Sequence, residues 1–229
     1  MKNKNVCYTV IVGQYDSLKE PQYISDNFDY ICFTDQTNFK SNVWDIRPLP
    51  DIVSNFDNTR KNRYLKWLPH LFLSEYEYSV YVDGSMTCIG NLNVLKALNK
   101  DNKPLQLLPH NKRSCVYQEF RQCKKLKKDD FDILDNQRDM YIAEGYPKEN
   151  GILFHCCILM RYHNNENCKF VDEKIWELVL NRSKRDQLAA PYIIWKYNMY
   201  ENLYTMIPGL INRFFNYHMS WCHDIKDKK

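Results

Sequence analysis

Residues 78–85 read YSVYVDGS, a run of β-branched and aromatic side chains that ends in Asp83, Gly84 and Ser85. The composition is that of a buried strand, and the polar triplet is its exit. A carboxylate at the end of an apolar strand is costly to hold without a partner, and a divalent cation is a natural one. An Asp opening a turn before Gly is the ordinary alternative.

The same pattern recurs on either side. VCYTVIVG (6–13) is a β-branched run closed by Gly13 and followed by Gln14, Tyr15 and Asp16, and YICFTD (30–35) ends at Asp35. LQLL (105–108) leads into Pro109 and His110, and 152–160 is the longest apolar strand candidate. Between them, 60–73 places Leu65, Leu68 and Phe72 on one helical face and Arg60, Arg63 and Lys66 roughly opposite, with Pro69 expected to kink or shorten the helix. Further helices are expected over 113–126, 135–144 and 172–180, and from about Asp186, where Pro191 should disturb the middle. Strands alternating with helices predict an α/β domain with a mostly parallel central sheet flanked by helices. Ligands of such sheets bind beyond the carboxyl ends of the strands, which would gather Gly13, Gln14, Tyr15, Asp16, Asp35, Asp83 and Ser85 in one crevice.

The chain has 229 residues, 44% apolar and 26% charged, which suits one globular domain and excludes global disorder. No apolar run approaches the ~20 residues of a membrane span, and MKNKN leads into too short an apolar stretch for a cleavable signal, so the expected location is cytoplasmic. Lys plus Arg at 32 against Asp plus Glu at 28 gives +4, far from the charge of a dedicated nucleic-acid binder. Nine cysteines with no CxxC pair argue against a disulfide framework or a zinc ribbon, and Cys156 and Cys157 read as small hydrophobes.

Several chemistries drop out. GxGxxG, GK[ST], HExxH and GxSxG are all missing, which disfavours dinucleotide, P-loop, zinc-hydrolase and serine-hydrolase sites. What remains is a set of oxygen and cationic groups. Asp83 could hold Mg²⁺ or Mn²⁺ against a diphosphate, Arg63 and Lys66 could neutralise that diphosphate, and His218 could complete the metal shell from the tail. Asp186, by default a capping residue, is a candidate general base.

The strings YTVIVGQYD, YICFTD, RKNRYLKWLPHLFL, YSVYVDGS, HNKRSCVYQE, EGYP, ILMRYHN and RDQLAAPYIIWK, in this order, resemble a family of GT-A-fold glycosyltransferases. Its members include plant mucilage-related and TOD-type domains, formerly catalogued as a domain of unknown function. The resemblance implies a Rossmann-like GT-A domain over 1–229, with a donor half (1–110), an acceptor half (111–211) and a C-terminal tail (212–229). It implies a nucleotide-diphospho-sugar donor, its nucleoside held by Gly13, Tyr15 and Asp35 with Asp16 in the same loop, and its phosphates by Arg63 and Lys66. The Mn²⁺ or Mg²⁺ would sit at Asp83, with Gly84 and Ser85 beside it in the donor-binding turn. Ser85 replaces the second acid of the usual DxD motif, so Asp83 would act through water or with His218. His110, Arg113, Tyr117, Glu119, His163 and Asn164 would face a glycan or glycolipid acceptor, and Asp186 with Gln187 matches the catalytic carboxylate region. The implied partners include no nucleic acid, and peripheral attachment to a membrane stays open. Two other readings stand beside this one: an inactive nucleotide- or glycan-binding module, and a lipid amide hydrolase, which the absence of a zinc-ligand motif weighs against.

Overall fold

A computed structural model describes residues 4–148, 152–206 and 209–217. Strand β1 (Asn5–Ile11) is paired in parallel with β2 (Phe28–Thr34) on one side and β4 (Tyr78–Val82) on the other. With β3 (Asp45–Pro48), β6 (Leu105–Pro109), β7 (Phe154–Arg161) and β8 (Leu203–Thr205), the spatial order is β3-β2-β1-β4-β7-β6-β8. Of these seven strands β7 alone runs against the others, antiparallel to both β4 and β6. The chain steps from β1 to β2 and then crosses back to β4, so strand order reverses between β1 and β4. A sheet of this kind opens its ligand crevice at that reversal, beyond the carboxyl ends.

Each face of the sheet is covered, which explains the nearly continuous apolar runs. On one face Val6, Tyr8 and Val10 of β1 pack with helices α1 (Asn58–Trp67), α3 (Val116–Lys125), α4 (Phe131–Ala143), α5 (Glu166–Asn181) and α6 (Asp186–Lys196). On the other, Cys7 and Ile11 meet α2 (Leu92–Ala97) and a two-stranded ribbon of β5 (Met86–Cys88) and β9 (Phe215–Tyr217). No helix among the described residues is long and apolar enough to cross a membrane. The eight cysteines among them are free.

The long elements follow their sequence signals, and their ends follow local chemistry. Asp57 caps α1 by accepting the Arg60 amide, and Pro69 stops it at Trp67, leaving a 3₁₀ turn over Pro69–Leu71. Asp130 and Asn165 cap α4 and α5, which start earlier than the apolar pattern suggests. Pro191 lies inside α6 without ending it, because the residues around it are buried and tertiary packing outweighs the lost backbone bond. Elements β3, β5, α2, β8 and β9, three to six residues each, carry no periodicity and were not expected.

The reversed strand also ties the layers together. Arg161, fully buried at the end of β7, pairs with Asp172 of α5 at 3.1 Å and donates to the Lys66 carbonyl of α1 at 2.7 Å and to the Tyr8 hydroxyl of β1 at 2.5 Å. That arginine anchors the last turn of α1, on which the next observations depend.

Candidate active site

Gly13 leaves β1 with φ +65°, a backbone state that glycine tolerates best, and its N–H donates to both Asp35 oxygens at 2.9 and 3.1 Å. A Cβ there would lie 2.1 Å from the Asn58 amide nitrogen, so the loop sits directly on the start of α1. One turn on, the Asn62 amide donates to the Val10 carbonyl at 2.7 Å and faces the Tyr81 hydroxyl at 3.3 Å. Asp16 packs against Gly84, where a Cβ would meet its Cβ at 2.9 Å, so the exits of β1 and β4 touch. Tyr15 stands over them, 46% exposed. Its partial burial and the Asp16 charge push the phenol upward, against the pull of Arg185 and Arg63.

An ion-paired cluster lies beneath these loops. Lys66 Nζ is 2.7 Å from Asp186 Oδ2 and 3.7 Å from Asp83 Oδ1, and Arg63 Nε is 3.0 Å from Asp186 Oδ1. The Trp67 indole N–H donates to Asp186 Oδ2 at 3.1 Å, and the Tyr81 hydroxyl donates to Asp83 Oδ1 at 2.7 Å. Residues 63, 66 and 67 share one helical face by their three- and four-residue spacing. That face is not the solvated basic edge the sequence suggests, because Lys66 is only 1% exposed and points into the sheet.

The two carboxylates differ in access. The Asp186 side chain is 2% exposed with both oxygens engaged, whereas the Asp83 side chain is 31% exposed and its Oδ2 has no partner among the described residues. Burial would raise Asp186, but the Arg63 and Lys66 charges outweigh it and hold the carboxyl far below the usual range. Gln187, next on α6, donates to the Phe154 carbonyl at 3.2 Å and accepts from Arg185 at 3.2 Å. Ser85 follows Gly84 into the turn before β5.

The residues expected to face an acceptor fall in three places. His110 and Arg113 border the crevice: Arg113 Nε is 2.6 Å from Glu119, and His110 stacks on His155 with ring centroids 4.1 Å apart. Burial, followed by His155 and Arg113, pushes His110 down to about 4. Glu119 is buried as the partner of Arg113, and Tyr117 donates to the Tyr146 carbonyl at 2.9 Å within an aromatic core. His163 and Asn164 do not reach the crevice. Because β7 is antiparallel, residues after its end lie at the opposite edge of the sheet, where His163 bonds the Leu73 carbonyl and Asn164 those of Ser74 and Tyr76. His218 lies outside the described residues.

Two crevice residues escaped the sequence reading. Arg185 lies beside Tyr15, Gln187 and Asp186, and in the sequence it is one cation among many with no spacing to mark it. His155 sits within an apolar run with no flanking signal, and the period-2 alternation of β7 is what could have singled it out. Among the described residues no three His, Cys, Asp or Glu side chains converge as a metal cluster.

The structure is similar to the apo form of mouse xyloside xylosyltransferase 1, at 8% identity and a TM-score of 0.48 over 87% of this chain and 84% of that one. It is also similar to the bifunctional glycosyltransferase WbbM, at 9% identity and a TM-score of 0.52, covering 91% of this chain but 39% of that larger one. At such identities the likeness to WbbM speaks for the fold alone, which is α/β and GT-A-like. No curated protein matches the sequence. A family model described as "TOD1/MUCI70, glycosyltransferase-like domain" matches residues 1–213, and since that match spans nearly the whole chain, the protein belongs to this family of glycosyltransferases.

Proposed function

We propose that the crevice transfers a sugar from a nucleoside-diphosphate donor to a hydroxyl group of a glycan or glycolipid. The observation that carries this reading is the placement of Lys66, 1% exposed, between Asp186 and the more accessible Asp83 at the reversal of the sheet. In the transfer the acceptor oxygen bonds to the anomeric carbon, the bond from that carbon to the diphosphate breaks, and the hydroxyl proton passes to the departing diphosphate oxygen or to water. Negative charge grows on the leaving diphosphate, and Lys66, 3.7 Å from Asp83, with Arg63, held by the same Asp186, are fixed cations whose charge can stabilise it. Tyr15 offers a face on which a base can stack, and Gly13, braced by Asp35, lets the backbone approach.

The general-base role expected of Asp186 gives way to positioning. A buried carboxylate with both oxygens ion-paired, held far below its usual range, is a poor proton acceptor, but it fixes Arg63 and Lys66 firmly. The donor set suits one hard cation. Mg²⁺ or Mn²⁺ would be held by Asp83 Oδ2, which has no partner among the described residues, with Asp16 across Gly84, and would leave room for phosphate oxygens and water. When bound, such an ion supplies further positive charge to the departing diphosphate.

Calorimetric titration with nucleoside diphosphates, with and without Mn²⁺, tests the reading. The unaltered protein should bind at least one of them, and Asp83→Ala should weaken that binding by about tenfold or more, the effect of one lost charged contact. Absence of binding to every nucleoside diphosphate tried would refute the donor site, and unchanged affinity in Asp83→Ala would remove Asp83 from it.

A further inference from the structure

Since β7 runs against the other strands, it is its amino-terminal end that borders the crevice. Burial alternates there: Phe154, Cys156 and Ile158 are buried, whereas His155 and Cys157 are half-buried. The Cys157 carbonyl accepts the Asp83 N–H at 2.9 Å, which fixes the two strand ends side by side. His155, two residues along on the same face, is therefore about 7 Å from that junction, a separation comparable to one sugar ring.

The imidazole is held in one orientation. Its face stacks on His110, with planes 8° apart, and its Nε2 is 3.0 Å from Asn111 Oδ1. A carboxamide oxygen only accepts, so Nε2 carries the proton and Nδ1 keeps its lone pair. That Nδ1 has no hydrogen-bond partner among the described residues and is not buried. His110 behind it is spent on its own loop, its Nδ1 accepting the N–H groups of Lys112 and Arg113 at 3.0 Å each.

We propose that His155 orients the acceptor, its Nδ1 taking the hydrogen bond of the hydroxyl group that attacks the donor sugar. This rests on the transfer reading above and makes His155 a substrate-contacting residue. The charged and titratable groups facing it are His110, Lys112 and Arg113 from the loop after β6 and Asp83 from the end of β4. Burial and then Arg113 lower its affinity for a proton, Asp83 acts in the opposite sense, and Lys112 adds to the lowering. The net effect keeps the lone pair available at neutral pH.

The test uses the full chain with uridine, guanosine and thymidine diphosphate sugars as donors and a panel of oligosaccharide acceptors, and reads the ratio of transfer to donor hydrolysis. Water needs no positioning by His155. In His155→Ala the ratio should fall about tenfold, the effect of one hydrogen bond, while hydrolysis and nucleoside-diphosphate affinity stay near those of the unaltered protein. His155→Gln, which keeps an acceptor oxygen, should recover part of the ratio, and it decides the matter if the alanine variant does not fold. Lowering the pH should raise the acceptor KM of the unaltered enzyme but not that of His155→Gln. An unchanged ratio in His155→Ala, or an equal loss of transfer and hydrolysis in both folded variants, overturns the assignment while leaving the transfer reading intact. If the unaltered protein neither binds nor turns over any donor, the transfer reading itself fails, and this one with it.

Discussion

Lys66, Arg63, Asp83 and Asp186 were each singled out in the sequence by residue type next to a strand exit or a helix start, and the fold brings them into one cluster. Their burial was not legible, because helical periodicity assigns Lys66 to the polar face while the end of β4 and the start of α6 supply two acidic partners from 17 and 120 residues away along the chain. His155 was invisible for the converse reason: a polar residue inside an apolar strand gives no pattern unless the direction of its face is known. The cluster has a pH signature. With its folded pKa depressed, Asp186 contributes stability that is fully present above the ordinary carboxylate range and is lost as pH falls through the lower folded value. Asp186→Asn lacks that contribution, so its thermal midpoint should trail that of the unaltered protein most at neutral pH, and the gap should narrow below about pH 4. A gap of constant size from pH 7 to pH 2 would show that the carboxylate charge is not what the cations hold.

Among the elements, the long strands and helices were readable from composition and period, whereas the ribbon strands and α2 are too short to show either. Strand direction was not readable at all. Nothing in FHCCILMR states that β7 is reversed, and that one unknown sent His163 and Asn164 to the wrong edge of the sheet. The turn from β1 to the crevice makes a sharper case, since Gly13 is demanded both by its φ of +65° and by the Asn58 amide 2.1 Å from any Cβ. Gly13→Ala should cost about 1–3 kcal/mol in urea unfolding and weaken nucleoside-diphosphate binding by displacing the start of α1. Adding Asn58→Ala should restore part of the loss, because it relieves the collision but not the backbone strain. A double variant no better than Gly13→Ala would assign the whole effect to φ.

At the scale of the molecule, the site depends on a segment far from it in sequence. Strand β9 pairs with β5 in the register Met86 to Tyr217, Thr87 to Asn216 and Cys88 to Phe215, immediately after the Asp83–Ser85 turn. Ile211, Phe214 and Phe215 are buried in the second core, and Gly90 lies so close to the Arg213 carbonyl that a Cβ would approach it to 2.5 Å. Removing residues 209–229 would strip that cover, at about 1.5–3 kcal/mol for each large apolar side chain lost from the core. The shortened chain should unfold at lower urea and bind nucleoside diphosphates more weakly, and affinity equal to that of the full chain would show that the ribbon does not support the Asp83 turn. For a polypeptide emerging from the ribosome, the β5–β9 pairing imposes an order of events. Translation must pass Tyr217 before β5, which follows the turn bearing Asp83, gains its strand partner, so competence waits on a segment made long after that turn has left the ribosome.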